Sequence, residues 1–246
     1  MKRIWIITLF PEYFTPLVEC GVVGKALRGE RGGEFELNVI QLSEFSPKQF
    51  KGVDDTPYGG GHGMVMRADV LKNALDAIVD QGSYSSIKKD LHVVFTAPRG
   101  KLWSSSLAQE FSEKLTDKFN KDIVFICGRY EGVDERFIEV YVDEILCVGD
   151  YILSGGEPAV LVIIDSAMRF CEEVLGNKMS ATEESFSEDL LEHPYYTRPQ
   201  VFEGKEIPEV LRQGHHKKIE QWKQSRREEL TKRHRPDLWQ RYNNNE

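Results

Sequence analysis

The sequence predicts an α/β fold: a largely parallel, doubly covered sheet, followed by a small helical segment. Three observations predict it. Runs such as RIWIITLF, LHVVFTA and DIVFICG are apolar almost without a break, the pattern of strands covered on both faces. Between them lie segments with apolar residues at helical spacing, such as Val70, Leu71, Ala74, Leu75 and Ile78. Past Gly176 the chain turns polar and acidic, then basic. The expected organisation is an α/β domain over 1–172, a flexible linker over 173–199 and a helical basic domain over 200–246.

In chain order, RIWIITLF is the first strand, and Pro11 sits where a helix can begin. A helical segment through Leu17, Val18 and Val22 ends in glycines at 29–33. FELNVIQL alternates like a strand, and Ser43 to Gly63 reads as an irregular loop. A helix over Asp69–Val79 leads to the strand LHVVFTA, and a helix over Ser104–Phe119 to the strand DIVFICG. A short helix near Asp134–Glu139 precedes the strand YVDEILCVG, and GGEPAVLVIIDSAMRFCEEVLG opens with glycines and continues as an apolar helix. The basic end offers Trp222, Leu230 and Trp239 for a small core.

The 246 residues are 40% hydrophobic and 29% charged, an ordinary globular balance. Four scattered cysteines, Cys20, Cys127, Cys147 and Cys171, form no CxxC pair, which argues for a reducing compartment and a cytoplasmic protein. Pro11 and Glu12 cut short the apolar N-terminal run, so it reads as a buried strand rather than a signal peptide. No run approaches a membrane span. Net charge is −8, yet Lys205–Tyr242 carries 11 Lys/Arg against 6 Asp/Glu, leaving 21 against 34 elsewhere. An acidic body with a basic end is the asymmetry expected of a protein that touches a polyanion with one part, and a solvated helical face accounts for it equally well.

In open parallel sheets, ligands bind beyond the carboxyl ends of the strands. Three such ends carry glycine-containing loops: TAPRG (Thr96–Gly100), CGRYEGVDER (Cys127–Arg136) and VGDYILSGGEPA (Val148–Ala159). Together they suit a flat, polar, positively charged ligand held by backbone groups, ring contact and a carboxylate. A further stretch, VDDTPYGGGHGM (Val53–Met64), concentrates four glycines around His62. Such backbone freedom points to unusual dihedrals or close approach to a ligand. No GxxxxGK[ST] exists, and no GxGxxG joins the first strand to its helix, which disfavours P-loop and dinucleotide sites. GGGHG without a GxSxG elbow makes no hydrolase. Neither His62 with Asp54 and Asp55 nor His215–His216 makes a metal site.

VDDTPYGGGHGM, CGRYEGVDER, GDYILSGGE, the ESF at 184–186, PYYTRP and the GHH…W near the end occur in that order. Together with ITLFPEYF and HRPDLW, they make the chain resemble the bacterial tRNA (guanine-N1)-methyltransferase family over nearly its whole length. The resemblance implies a SPOUT-type parallel-sheet domain with a trefoil knot, against the general rule for chain connections. It also implies a homodimer with active sites between subunits. S-adenosylmethionine would be the methyl donor, and N1 of guanosine 37, next to the anticodon, the acceptor, with guanosine preferred at position 36. Magnesium is associated with the family's activity.

The residue roles follow from the same resemblance. Attack by guanine N1 on a sulfonium methyl needs a base, and charge growing at O6 needs a cation or hydrogen-bond donors. Glu184, where relatives commonly carry Asp, would be the base, and Arg169 the cation. Thr96, Ala97, Pro98, Gly128, Tyr130, Glu131, Gly132, Val148, Gly149, Tyr151, Leu153, Gly155, Gly156 and Ala159 would hold the donor. At Ala159 many relatives have proline, which here stands one residue earlier as Pro158. Glu131 would face the cationic methionyl part or a metal. Asp54, Gly63 and Ser180 would contact the substrate, where relatives often have Arg for Thr56 and Pro for His62. Lys217, Lys218, Arg226 and Arg227 would meet tRNA phosphates. The alternatives are a relative acting on another RNA and a catalytically weak RNA-binding relative.

Overall fold

The computed structural model describes residues 1–31, 35–47, 52–116, 119–171, 174, 185–186 and 188–245. By internal contact the chain divides into two compact units, Met1–Asn177 and Lys178–Glu246.

In the first unit the order is β1 (Lys2–Thr8), α1 (Thr15–Glu19), α2 (Gly21–Leu27), β2 (Phe35–Gln41), β3 (Asp54–Asp55) and β4 (Val65–Met66). There follow α3 (Ala68–Gly82), α4 (Ile87–Asp90), β5 (Leu91–Leu102), α5 (Ser105–Lys114), β6 (Asp122–Cys127), α6 (Glu135–Tyr141), β7 (Glu144–Cys147) and α7 (Glu157–Met168). Five strands form one parallel sheet in the order β2–β1–β6–β5–β7. Alternate residues feed two cores, as the pleat dictates. Ile4, Ile6, Val94 and Phe125 pack with α2, α5 and α7 on one face. Trp5, Ile7, Val93 and Val124 pack with α3 and α6 on the other. Burial on both faces explains why these strands read as unbroken apolar runs.

Pro11 does open a helix, a 3-10 turn over Pro11–Phe14. Three expectations are corrected. The irregular stretch from Ser43 contains a 3-10 turn (Leu42–Phe45) and the two-residue strand β3, paired antiparallel with β4. The helix expected over Ser104–Phe119 is capped by the Ser104 hydroxyl, which accepts from the Leu107 amide at 3.2 Å, but ends at Lys114. The helix expected over Asp69–Val79 runs on to Gly82, and Ser83, in the left-handed region at φ 56°, closes it.

The second unit carries a hairpin, β8 (Val201–Phe202) with β9 (Lys205–Glu206), and two helices, α8 (His216–His234) and α9 (Pro236–Asn245). Glu203 and Gly204 both have positive φ, the backbone that a two-residue hairpin loop requires. Its core is not the expected Trp222, Leu230 and Trp239. Among the described residues, Thr231, Leu238 and Leu190 are the ones fully or almost fully buried. Thr231 tolerates burial because its hydroxyl donates to the Arg227 carbonyl at 2.7 Å and accepts from the Leu191 amide at 2.8 Å. Trp222 instead lies 6.1 Å from His193 and 6.2 Å from Tyr196, ring to ring, and Trp239 stacks on Tyr242.

Candidate active site

The site begins with an interruption in β5. Thr96 and Lys101 both take Leu146 of β7 as partner, so Ala97–Gly100 leave the strand and return to the same register. The return brings Gly100 against the β7 backbone: a Cβ there would lie 2.6 Å from the Leu146 nitrogen. Only glycine allows that approach.

That excursion, the loop after β6 and the loop after β7 enclose one cavity of about 480 Å³, within the size range of small-molecule sites. Thr96, Ala97 and Pro98 come from the first segment, and Gly128, Tyr130, Glu131 and Gly132 from the second. Val148, Gly149, Tyr151, Leu153, Gly155, Gly156 and Ala159 come from the third. All fourteen residues that the motifs group around a methyl donor therefore line a single space. Close packing holds the third loop in place: Gly156 donates its amide to the Gly128 carbonyl at 2.8 Å, and a Cβ on Gly156 would lie 2.4 Å from Thr96 Oγ1. Cys127, buried at the end of β6, stays a thiol, because burial, and then the charge of Glu157, push its pKa well above the ordinary value.

The glycine-rich stretch is docked onto the loop after β6. Glu131 donates its amide to the Met64 carbonyl at 2.9 Å, Met66 to the Gly132 carbonyl at 2.8 Å, and Asp134 to the Met66 carbonyl at 3.0 Å. Met66 and Val133 form a parallel bridge. Tyr130 is held in the left-handed region at φ 57°. Its hydroxyl is held above the ordinary tyrosine range by burial, and next by the Asp54 charge. The structure thus brings Asp54 and Gly63 to the edge of the loop after β6 but not onto the cavity wall. Arg169 is exposed at the C-terminal end of α7 and is also off that wall. Glu184 and Ser180 lie outside the described residues.

A family model described as tRNA (guanine-1)-methyltransferase TrmD matches residues 1–241. The chain belongs to that family. A protein named tRNA (guanine-N(1)-)-methyltransferase from Bartonella tribocorum is 47% identical over 240 residues, 98% of this chain and 96% of the relative. One of the same name from Lactobacillus delbrueckii subsp. bulgaricus is 43% identical over 233 residues, 95% and 87% of the two chains. One from Pelagibacter ubique is 42% identical over 245 residues and spans both chains completely.

Within this tRNA (guanine-1)-methyltransferase family member, sequence reasoning passed over several residues of the cavity. Arg99 and Glu135 face each other at its rim, 2.7 Å apart. Arg129 lines it and pairs with Glu157, which is 0% exposed. The signal for that pair was present as Arg129 in CGRYEG and Glu157 in SGGEP, but their approach depends on two loops meeting. Among the described residues no group of three or more His, Cys, Asp or Glu side chains gathers to hold a metal, and no helix is long and apolar enough to cross a membrane.

Proposed function

We propose that this chain transfers a methyl group from S-adenosylmethionine to N1 of guanosine 37 in tRNA, preferring guanosine at position 36. The observation that carries this reading is the convergence of the three loops on one cavity, in a chain matched by the family model over residues 1–241. The wall suits a cationic, part-apolar donor: Leu153, Val148 and Ala159 supply apolar contact, backbone groups of the glycines supply polar contact, and Glu131 supplies an exposed carboxylate.

The donor, when bound, supplies an electrophilic methyl on sulfur. The work of the chain is to orient and to move one proton. Glu184 takes the N1 proton of guanine, and Arg169 stabilises the negative charge that grows at O6. Asp54 and Gly63 place the base edge beside the donor loop. Reaching N1 of an anticodon-loop guanine requires extruding it into the site.

We further propose a SPOUT-type trefoil knot, a homodimer, a cytoplasmic setting and a three-part organisation for the chain. The connection after β7 returns to seat Gly156 against Thr96 and Gly128, the close crossing that a trefoil knot of the SPOUT type needs. Tyr151 and Ile152 at the cavity mouth are 58% and 83% exposed, apolar surface suited to cover by a second copy in a homodimer. The four free cysteines suit a cytoplasmic setting, and the chain is organised as a methyltransferase domain over 1–172, a linker over 173–199 and a basic tRNA-binding domain over 200–246.

The test is transfer from labelled S-adenosylmethionine to tRNA transcripts that differ only at positions 36 and 37, with the product nucleoside identified. The expected product is 1-methylguanosine, formed only with guanosine at 37. Incorporation that ignores the base at 37 would sink the reading in favour of another RNA substrate.

A further inference from the structure

The geometry points to Arg129 as the positioning residue of the donor pocket, clamping the loop after β7 to the first turn of α7. The inference rests on reading the cavity as the methyl-donor site. Its guanidinium reaches three separate parts of the chain. Nη1 donates to the Ser154 carbonyl at 2.8 Å, and Nε donates to Glu157 Oε1 at 3.3 Å. Nη2 lies 2.8 Å from Glu157 Oε2, off the N–H axis, so that contact is a charge contact without an aligned hydrogen bond. The guanidinium carbon sits 4.4 Å above the ring of Phe10, beyond the end of β1.

Glu157 makes the arrangement specific. It is fully buried in the first turn of α7, and Thr8 Oγ1 donates to its Oε1 at 2.7 Å. A buried ion pair is weak support for stability, because desolvation offsets the attraction. What this pair does instead is fix geometry. The loop lies directly on the guanidinium at Gly155, where a Cβ would fall 2.2 Å from Arg129 Nε and 2.5 Å from Glu157 Oε2. Ser154, Gly155 and Glu157 are thereby locked to the loop after β6 and to β1 together. Because α7 runs from Glu157 to Met168, with Arg169 at its end, the same clamp sets the start of the helix that leads to Arg169. Lysine cannot replace this arrangement: one ammonium does not hydrogen-bond the Ser154 carbonyl and Glu157 Oε1 from two fixed nitrogens while lying over the Phe10 ring.

The experiment is calorimetric titration of the full chain and of its Arg129→Lys variant with S-adenosylmethionine, beside steady-state transfer to tRNA. The expected result is a folded variant whose donor Kd and donor KM rise about tenfold or more, the scale of a lost charged hydrogen bond, while the KM for tRNA is unchanged. A role confined to stability would lower the melting temperature and leave the donor Kd of the folded protein alone, and that outcome overturns the inference. If Arg129→Lys does not fold, the paired change Arg129→Met with Glu157→Leu removes both charges and is read in the same way. Failure of the unaltered chain to bind S-adenosylmethionine would instead overturn the donor-site reading itself.

Discussion

Gly63 lies directly against the carboxylate of Glu131, close enough that a Cβ on Gly63 would stand 2.3 Å from Glu131 Oε1. The glycine-rich loop and the loop after β6 are therefore fitted to each other at a single missing side chain. Gly63→Ala should strain the backbone at φ +92° and also push the Glu131 carboxylate aside. Gly60→Ala, at φ +78° with open space around it, should carry only the strain, about 1–3 kcal/mol. Thermal melts should fall for both variants, and donor affinity only for Gly63→Ala. Equal donor affinity in the two would refute the contact's role.

Glu184→Gln keeps size and removes the proposed proton acceptor. Methyl transfer should drop by roughly 10²-fold or more, the usual scale for a general base, with donor Kd nearly unchanged. Near-normal turnover in this variant would reassign the base.

Glu144, on β7 in the first unit, takes a hydrogen bond from His92 and another from Lys114, which hold its pKa down to about 2 against desolvation. A depressed carboxylate contributes stability that is present above its unfolded pKa and lost as pH falls through the folded value. Urea denaturation should therefore show stability falling from about pH 4.3 toward about pH 2. Glu144→Gln should lose stability at neutral pH and show a shallower fall across that window. An equally steep fall in the variant would assign the acid sensitivity to other carboxylates.

Lys217 and Lys218 are exposed at the start of α8, whereas Arg226 pairs with Glu229 at 2.6 Å and Arg227 with Glu188 at 3.0 Å. Replacing both lysines by alanine should weaken tRNA binding and flatten its salt dependence, by about one unit of slope for each phosphate no longer neutralised. Replacing the two arginines should change the slope less, because their charge is already matched within the protein. Salt titrations of tRNA binding decide between these outcomes.

Much of the fold was legible because parallel strands buried on both faces must be apolar throughout. RIWIITLF, LHVVFTA and DIVFICG became β1, β5 and β6 for that reason. Less legible were structures made by contact rather than by local pattern. Asp54–Asp55 has no strand-like composition, and its pairing with Val65–Met66 follows from docking onto Gly132–Asp134. In the second unit, tryptophans suggested a core, but a threonine with both its hydrogen bonds met is buried in their place.

By itself the sequence determined the family, the order of strands and helices along the chain, and the three loops at strand ends. Local pattern and motif order carry those, since each depends on residues close together in the chain. Only the tertiary structure decided that β5 meets Leu146 twice around an excursion, that Gly63 accommodates Glu131, and that Arg129 finds Glu157. Each of those joins residues 28 or more positions apart. Such contacts arise when folding buries a charge or brings two backbones together, and no periodicity along the chain records them.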